Sequence, residues 1–512
     1  MQKISNIKLK PLESFDDLFI KTCKKAGLKK SEVKHFKIIK KSLDARDKND
    51  VFFNYSVEIS TKAYKKPTKN YGKVKKRAHV LVVGAGPAGL FCALDLLRYG
   101  LKVTLIERGK PVDEREKSVS SFISTRVLDE DSNIQFGEGG AGAFSDGKLN
   151  TGVSSPIKEE VILDLVNFGA PEDIAYLQKP HIGSDNLKKV VKNIRNEIIK
   201  LGGEVRFNAK LTDIEVSFEK VVSATINGEK EVYDDIVLAI GHSARDVYFM
   251  LNERKILMES KDFAVGFRIE HLQKDINFAQ YGKFHDLPSM PVADYKLTSN
   301  FNGRGVFTFC MCPGGYVMPS QSQKETVVVN GMSNYLRDGE NANSAIICQV
   351  SKKDFGDGLF CGVKYQEELE KTAFILGGGD YKAPCMLVGD YLSGKLSNDF
   401  GKVNPSYAMG VKKADLSNLF SDEINASIKH AIVDMGKKIK GFDCYDGVLT
   451  GVESRTSSPV RVLRDSELRS VSAVNLYPCG EGCGYAGGIT SASIDGKKVA
   501  EKIAYKYGLC KN

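Results

Sequence analysis

Several things are missing from this sequence, and each absence narrows the possibilities. No run of apolar residues approaches the length of a bilayer span, so no membrane partner is expected. The first residues, MQKISNIKLKPLES, lack the apolar core of a secretory signal. The cysteines are scattered and odd in number, eleven, which argues for reduced thiols in a cytoplasmic protein rather than a disulfide framework. No Cys/His cluster has zinc-ligand spacing, so no metal is expected.

The net charge of +10 is unevenly spread. Residues 1–77 hold 22 Lys and Arg against 8 Asp and Glu, and the remainder holds 52 against 56. A small basic module therefore precedes a nearly neutral body. Residues 1–60 read β-α-β-β: Ile7 and Leu9 alternate, Phe15, Leu18, Phe19 and Cys23 fall at helical spacing, and residues 36–39 form a short apolar strand. Val51, Phe53, Tyr55, Val57 and Ile59 alternate without a break, as in a strand with one wet face. Residues 61–77, basic and polar, read as a linker.

The strongest signal follows, in HVLVVGAGPAGLFCALDLLRYGLKVTLIERG, residues 79–109. An apolar strand over residues 80–83 leads into G-x-G-x-x-G at Gly84, Gly86 and Gly89. A helix with Leu90, Ala93, Leu94 and Leu97 on one stripe follows, then a second strand, Lys102–Ile106, that ends at Glu107. Gly84 allows the tight turn, Gly86 the approach of backbone to a pyrophosphate, and Gly89 the packing of helix on strand. Glu107 stands where an acceptor for a ribose hydroxyl is needed. The helix N-terminus offers free N–H groups to phosphate. This motif predicts dinucleotide binding but does not choose between NAD and FAD, and no second copy of it occurs.

Further along, FGEGGAGAFSDGKLNTG (136–152) is glycine-rich. Leu187, Val190, Val191, Ile194 and Ile198 form a helical stripe, residues 204–234 a meander, and residues 236–240 a strand. Residues 251–445 show mixed strands and loops, with a loop around Gly377. The last segment returns to the strand–turn–helix pattern of the glycine motif, with a strand over residues 474–477, a glycine-rich turn, and a helix from Ile489 or Thr490 through Val499 and Ile503.

Three segments together resemble the flavoproteins with two dinucleotide-binding domains. They are GAGPAG within its βαβ unit, LAIGHSARD (238–246), and CGEGCGYAGGITSASIDG (479–496) between strand and helix. A closer resemblance is to a family of uncharacterised FAD-dependent dehydrogenases. It is carried by SLDAR (42–46), GGAGAFSDGKLNTG (139–152), GHSARD (241–246), FCMCPGGYVMPS (309–320), NGMSNYLRDGENANSA (330–345) and GEGCGYAGGI (480–489).

The resemblance implies an α/β protein. A Rossmann-type FAD-binding domain, residues 78–250 and 446–512, would carry an inserted mixed α+β substrate domain, residues 251–445, behind the N-terminal β-α-β-β module. It implies FAD, held without a covalent bond by Gly84, Gly86, Pro87, Ala88 and Gly89, and by Glu107 and Arg108. Gly139, Gly140 and Gly142 would line the flavin. Gly241 would contact it at the LAIG segment, where Ile240 replaces the usual Thr. At the C-terminal segment, Gly480 and Glu481 match a Gly-Asp pair whose acid holds the ribitol, and Gly487, Gly488 and Ile489 begin a helix aimed at the flavin.

The expected function is FAD-dependent oxidoreduction, with hydride or electrons passing through the flavin, a small-molecule substrate that the resemblance does not name, and NAD(P)H as a transient donor. Two rivals remain. One is a flavoprotein that binds RNA through its basic module, although that module lacks an aromatic stacking signature. The other is a flavin-binding sensor or scaffold without turnover.

Three residues are candidates for catalysis. Cys310 and Cys312 would share one face of an extended strand, as a redox pair or as ordinary packing. His242 is the one histidine in a motif, as a proton donor or acceptor near neutral pH or as a structural residue. Ser145, Asp146 and Lys148 read either as polar contacts to the cofactor or as a surface turn. Arg245 and Asp246 read as a mutual pair. Arg268, Arg304 and Arg337 read as surface residues or as anchors for an acidic substrate.

Overall fold

The computed structural model describes residues 1–63 and 78–510; the expected linker lies outside the described residues from 64 onward. In the N-terminal module, Gln2–Leu9 and His35–Asp44 flank Phe52–Ser60, antiparallel on both sides. Helix Phe15–Ala26 begins with a capping box, in which the Ser14 hydroxyl accepts from the Asp17 N–H and the Asp17 carboxylate from the Ser14 N–H. Its Leu18 packs with Ile7, Leu9, Phe53, Tyr55 and Val57 in a core of the module's own. The strand expected over residues 36–39 is ten residues long, because pairing with Phe52–Ser60 continues through polar Lys40, Lys41 and Ser42. The module also touches the body. Lys41 exchanges two backbone hydrogen bonds with residues 176 and 178, and Leu43 packs against both cores.

The nucleotide-binding body is a five-stranded parallel sheet in the order Leu476–Pro478, Asp235–Leu238, His79–Val83, Lys102–Ile106, Glu204–Arg206. Strand His79–Val83 is buried on both faces, which explains its unbroken apolar run. Chain order reverses on either side of it, creating the crevice at the carboxyl ends of the strands where α/β sheets bind ligands. Helices Pro87–Arg98 and Ile489–Lys506 pack closely, and a Cβ on Gly496 would lie 2.1 Å from the Ala88 carbonyl oxygen. Buried Lys497 joins the two helices through Asp95 and reaches Asp164 of helix Ile157–Asn167. The last strand begins at Leu476 rather than Val474, since Ser470–Ala473 forms a small turn of its own.

The insert is built on a seven-stranded sheet in the order Thr298–Phe301, Arg304–Cys312, Asn341–Val350, Phe263–Leu272, Val448–Glu453, Ala383–Leu387, Val411–Lys413. Every pairing is antiparallel except the last. Helices Cys361–Leu376 and Asp422–Lys438 pack on it. The boundary expected at residues 445/446 needs correction. Strand Val448–Glu453 pairs with both Phe263–Leu272 and Ala383–Leu387, so the insert runs through it before the chain returns.

Because the N-terminal module has its own core and docks through a short edge, a chain beginning near Tyr71 is expected to remain folded. Its thermal midpoint should fall by a few degrees, as the exposed docking site implies. Insoluble protein, or loss of the circular dichroism of the body, would show that the module completes the main core.

Candidate functional site

A cleft of about 480 Å³ opens at the carboxyl ends of the parallel strands, within the usual range of small-molecule sites. Val83, Glu107, Ala239 and Cys479, from four strand ends, line it. The glycine turn is shaped as its spacing requires. Gly84 has φ +103°, and a Cβ there would lie 2.3 Å from the Ala239 carbonyl oxygen. A Cβ on Gly89 would lie 1.8 Å from the Gly84 carbonyl oxygen. Gly86 differs: the nearest atom to its Cβ would be Gly140 Cα, at 3.9 Å, so that side of the turn is open to a ligand.

Glu107 organises the turn as well as facing the cleft. Its buried carboxylate accepts N–H bonds from Ala85 (2.8 Å), Gly109 (3.0 Å) and Gly137 (2.9 Å). A carboxylate has about four acceptor positions, which leaves room for one hydroxyl. Arg108 lines the cleft above the Phe136 ring, and its guanidinium is held by Asp246 at 2.9 Å.

The glycine-rich segment after Gln135 has one short 3-10 turn, Ala141–Phe144, and one side chain holds the irregular stretch before it. Arg115 is fully buried and donates to the carbonyls of Asn133, Ile134, Gly137, Glu138 and Gly140. Burial draws this guanidinium down to about 10, against the pull of Glu107 and Glu138, so it stays charged at neutral pH.

Gly140 and Gly142 line the cleft, and so do Gly241, Gly480, Glu481, Gly487, Gly488 and Ile489 on the opposite walls. Pro87 and Ala88 line it at the start of their helix. Gly89 and Gly139, expected among the contacts, do not. Gly89 is the packing point of helix on turn, and Gly139 faces Ala143 and Val191. Gly487 and Gly488 border open space, as Gly86 does. The Gly480 N–H donates to Asp495 of the last helix, which fixes the turn. Burial pushes the Glu481 carboxyl up to about 7, although Lys261 lowers it.

The insert supplies the far wall through Asp294, Thr308, Cys310, Asn330 and Glu453. Cys310 lines the cleft and Cys312 lies buried behind it. The regular alternation expected for this pair is absent. Pairing with Asn341–Val350 skips from Phe309↔Ala345 to Cys312↔Asn343, a β-bulge with Cys310 at φ +41°. At the bulge the Cys312 thiol donates to the Cys310 carbonyl oxygen at 3.3 Å.

His242 lines the cleft in surroundings that disfavour a protonated ring. Burial, together with Arg455 and Arg245, pushes its ring down to about 3, so it is a neutral imidazole. Arg245 does not pair with Asp246. It and Arg455 grip the fully buried Glu370, at 2.9 and 2.8 Å. Burial raises that carboxyl, but the two guanidiniums outweigh it and hold it down to about 2. Arg268, Arg304 and Arg337 are likewise committed, to Glu453, Asp354 and Asp146. Asp146 is thereby a buried partner rather than part of a surface turn, although it, Ser145 and Lys148 all border the cleft. Arg115, Glu370 and Arg455 are not legible in the sequence, because single charged residues carry no periodic signal and usually face water.

Residues 78–265 match the family model of pyridine nucleotide-disulphide oxidoreductases, and residues 262–456 that of the FAD-dependent protein C-terminal domain. Residues 1–60 match a domain of unknown function. An uncharacterized protein of Clostridium beijerinckii is 45% identical over 530 residues, covering 99% of each chain. The chain belongs to this family of FAD-dependent flavoproteins. Solved structures to which the flavoprotein is similar include CtdE in complex with FAD (14% identical, TM-score 0.35, covering 85% of this chain and 88% of that one). Another is a flavoprotein/dehydrogenase from Cytophaga hutchinsonii (14% identical, TM-score 0.34, covering 85% and 80%). Among the described residues no cluster could hold a metal ion, and no helix is long and apolar enough to cross a membrane.

Two outcomes are expected of the flavoprotein. Glu370→Gln leaves two buried guanidiniums poorly paired and should cost about 3–5 kcal/mol in denaturant unfolding; a change under about 1 kcal/mol would show that the cluster is solvated. His242→Gln should leave the pH dependence of flavin reduction unchanged between about pH 5 and 8, because the ring is neutral throughout. A limb near pH 6.5 that vanishes in the variant would show that the ring titrates.

Proposed function

We propose that this flavoprotein is an oxidoreductase acting on a small molecule in the chamber between its parallel sheet and its insert. The observation that carries this reading is the extent of the cleft. It does not stop at the nucleotide cradle but continues under the insert's sheet to Asp294, Thr308, Cys310 and Glu453. A protein that only stored FAD would have no need of a second, polar wall.

In this reading Gly84, Gly86, Pro87 and Ala88 hold the pyrophosphate, with the N-terminus of helix Pro87–Arg98 as an anion site. Glu107 and Arg108 hold the adenosine end. Glu481, whose carboxyl makes no hydrogen bond among the described residues, is an acceptor for a chain of hydroxyl groups. Gly140, Gly142, Gly241, Gly487, Gly488 and Ile489 let backbone approach the ring system. When bound, the flavin supplies the hydride or electron chemistry.

The chain's own residues position, shield and move protons. Arg268, fully buried, donates to Glu453 at 2.6 Å and to the Cys310 carbonyl at 2.8 Å, and so fixes the wall facing the substrate. Burial outweighs Arg268 and pushes the Glu453 carboxyl up to about 7, a value suited to taking or giving a proton near neutral pH. NAD(P)H is the proposed transient donor, docking in the same chamber.

The purified protein should release FAD, not FMN. Gly86→Val should abolish retention by filling the open side of the turn. Glu107→Ala should weaken it about tenfold to a hundredfold through loss of charge-assisted hydrogen bonds. Anaerobic mixing with NADH, NADPH and a metabolite panel should find a reductant that acts faster than on free FAD. If none does, the protein is a flavin-binding sensor or scaffold rather than an enzyme.

A further inference from the structure

We propose that Cys310 and Cys312 form a dithiol–disulfide couple that exchanges two electrons with the bound FAD, a proposal that rests on the oxidoreductase reading above. Four observations support this couple. Cys310 borders the cleft that the proposed FAD contacts also border. The β-bulge at φ +41° breaks the regular strand at this pair and sets the Cys312 thiol against the Cys310 carbonyl oxygen, at 3.3 Å. Arg268, fully buried, lies against the pair and donates to the Cys310 carbonyl. Glu453, on the same guanidinium, supplies a carboxyl in the same wall.

The electrostatics agree with this geometry. The Cys310 thiol is drawn down to about 6 by the hydrogen bond from Cys312 and by the charges of Arg268 and Lys148, while Cys312 is pushed well above its usual range. One sulfur is therefore a thiolate and its neighbour retains the proton, the arrangement from which a disulfide forms stepwise.

The step balances within the protein. As the S–S bond forms, the Cys310 thiolate and the Cys312 thiol together lose two electrons and the one proton that Cys312 holds. Bound oxidised FAD would take both electrons and that proton, passed on by way of Glu453 or solvent, so the step leaves no proton unaccounted for. The reverse reaction reduces the disulfide. With one residue between the cysteines the disulfide is strained, and strain makes it easy to reduce. That disqualifies it as a structural staple but suits a couple that must turn over.

The test counts electrons in the full-length holoprotein. After standing in air until oxidised FAD is restored, the protein is made anaerobic and titrated with dithionite. Wild type should take up four electrons per FAD, and Cys310→Ser and Cys312→Ser should each take up two. In parallel, wild type is labelled with maleimide and digested with trypsin. The peptide spanning residues 305–324 should carry no label in the air-oxidised protein and two labels after reduction. Two electrons in wild type with full labelling of the air-oxidised peptide would overturn the couple, as would four electrons in both serine variants. Either result leaves a flavin that accepts two electrons, so the oxidoreductase reading survives. That reading fails separately, if no FAD is retained or no substrate reduces it. The peptide mapping needs no variant, so a serine variant that fails to fold does not remove the test.

Discussion

The two halves of this flavoprotein meet around one carboxylate. Glu370 lies on a helix of the insert. Arg245 opens the helix that follows the parallel strand Asp235–Leu238, and Arg455 stands where the chain leaves the insert. Three segments far apart in sequence are thus joined at a fully buried point. Removing two guanidiniums and a carboxylate from water is costly, and their mutual contacts offset it together with hydrogen bonds to Ser243, Ser322, Gln323, Gln366 and Ser454. The geometry is correspondingly strict. Neither arginine can move without disturbing a buried charge pair, and Arg455 itself lines the cleft with His242.

A second constraint shapes the cleft floor. The segment from Asn133 to Gly140 has almost no regular hydrogen bonding, so its carbonyls need donors and its N–H groups need acceptors. Arg115 supplies the donors and Glu107 part of the acceptors. Glycine is permissive by itself, and these two charges make its conformation unique. Glu107 therefore serves both the ligand and the backbone, so a loss of affinity on its removal contains both contributions.

The sequence was most legible where function needs a local backbone shape. Gly84, Gly86 and Gly89 announced the turn because no other residue fits two of those positions and none fits the third beside a ligand. The alternation from Val51 to Ile59 and the stripe from Leu187 to Ile198 announced a strand and a helix because burial repeats with the period of the element. The boundary near residue 446 was misplaced because Val448–Glu453 is an apolar strand whichever sheet receives it. Cys310 and Cys312 were misread as regular strand positions because a bulge depends on what the neighbouring strand offers, not on its own residues.

By itself, then, the sequence determined the dinucleotide fold, the glycine cradle, the basic N-terminal unit and the kinship with FAD-dependent proteins. Each is written in spacings of a few residues, and local sterics and periodicity act over that range. Only the tertiary structure decided that His242 is neutral, that Asp146 faces Arg337, that Gly89 and Gly139 are packing points, and that Cys310 rather than Cys312 meets the cleft. Those outcomes depend on burial and on charges brought in from elements up to hundreds of residues away. Desolvation and Coulomb energy follow distance in space, which the order of residues alone does not specify.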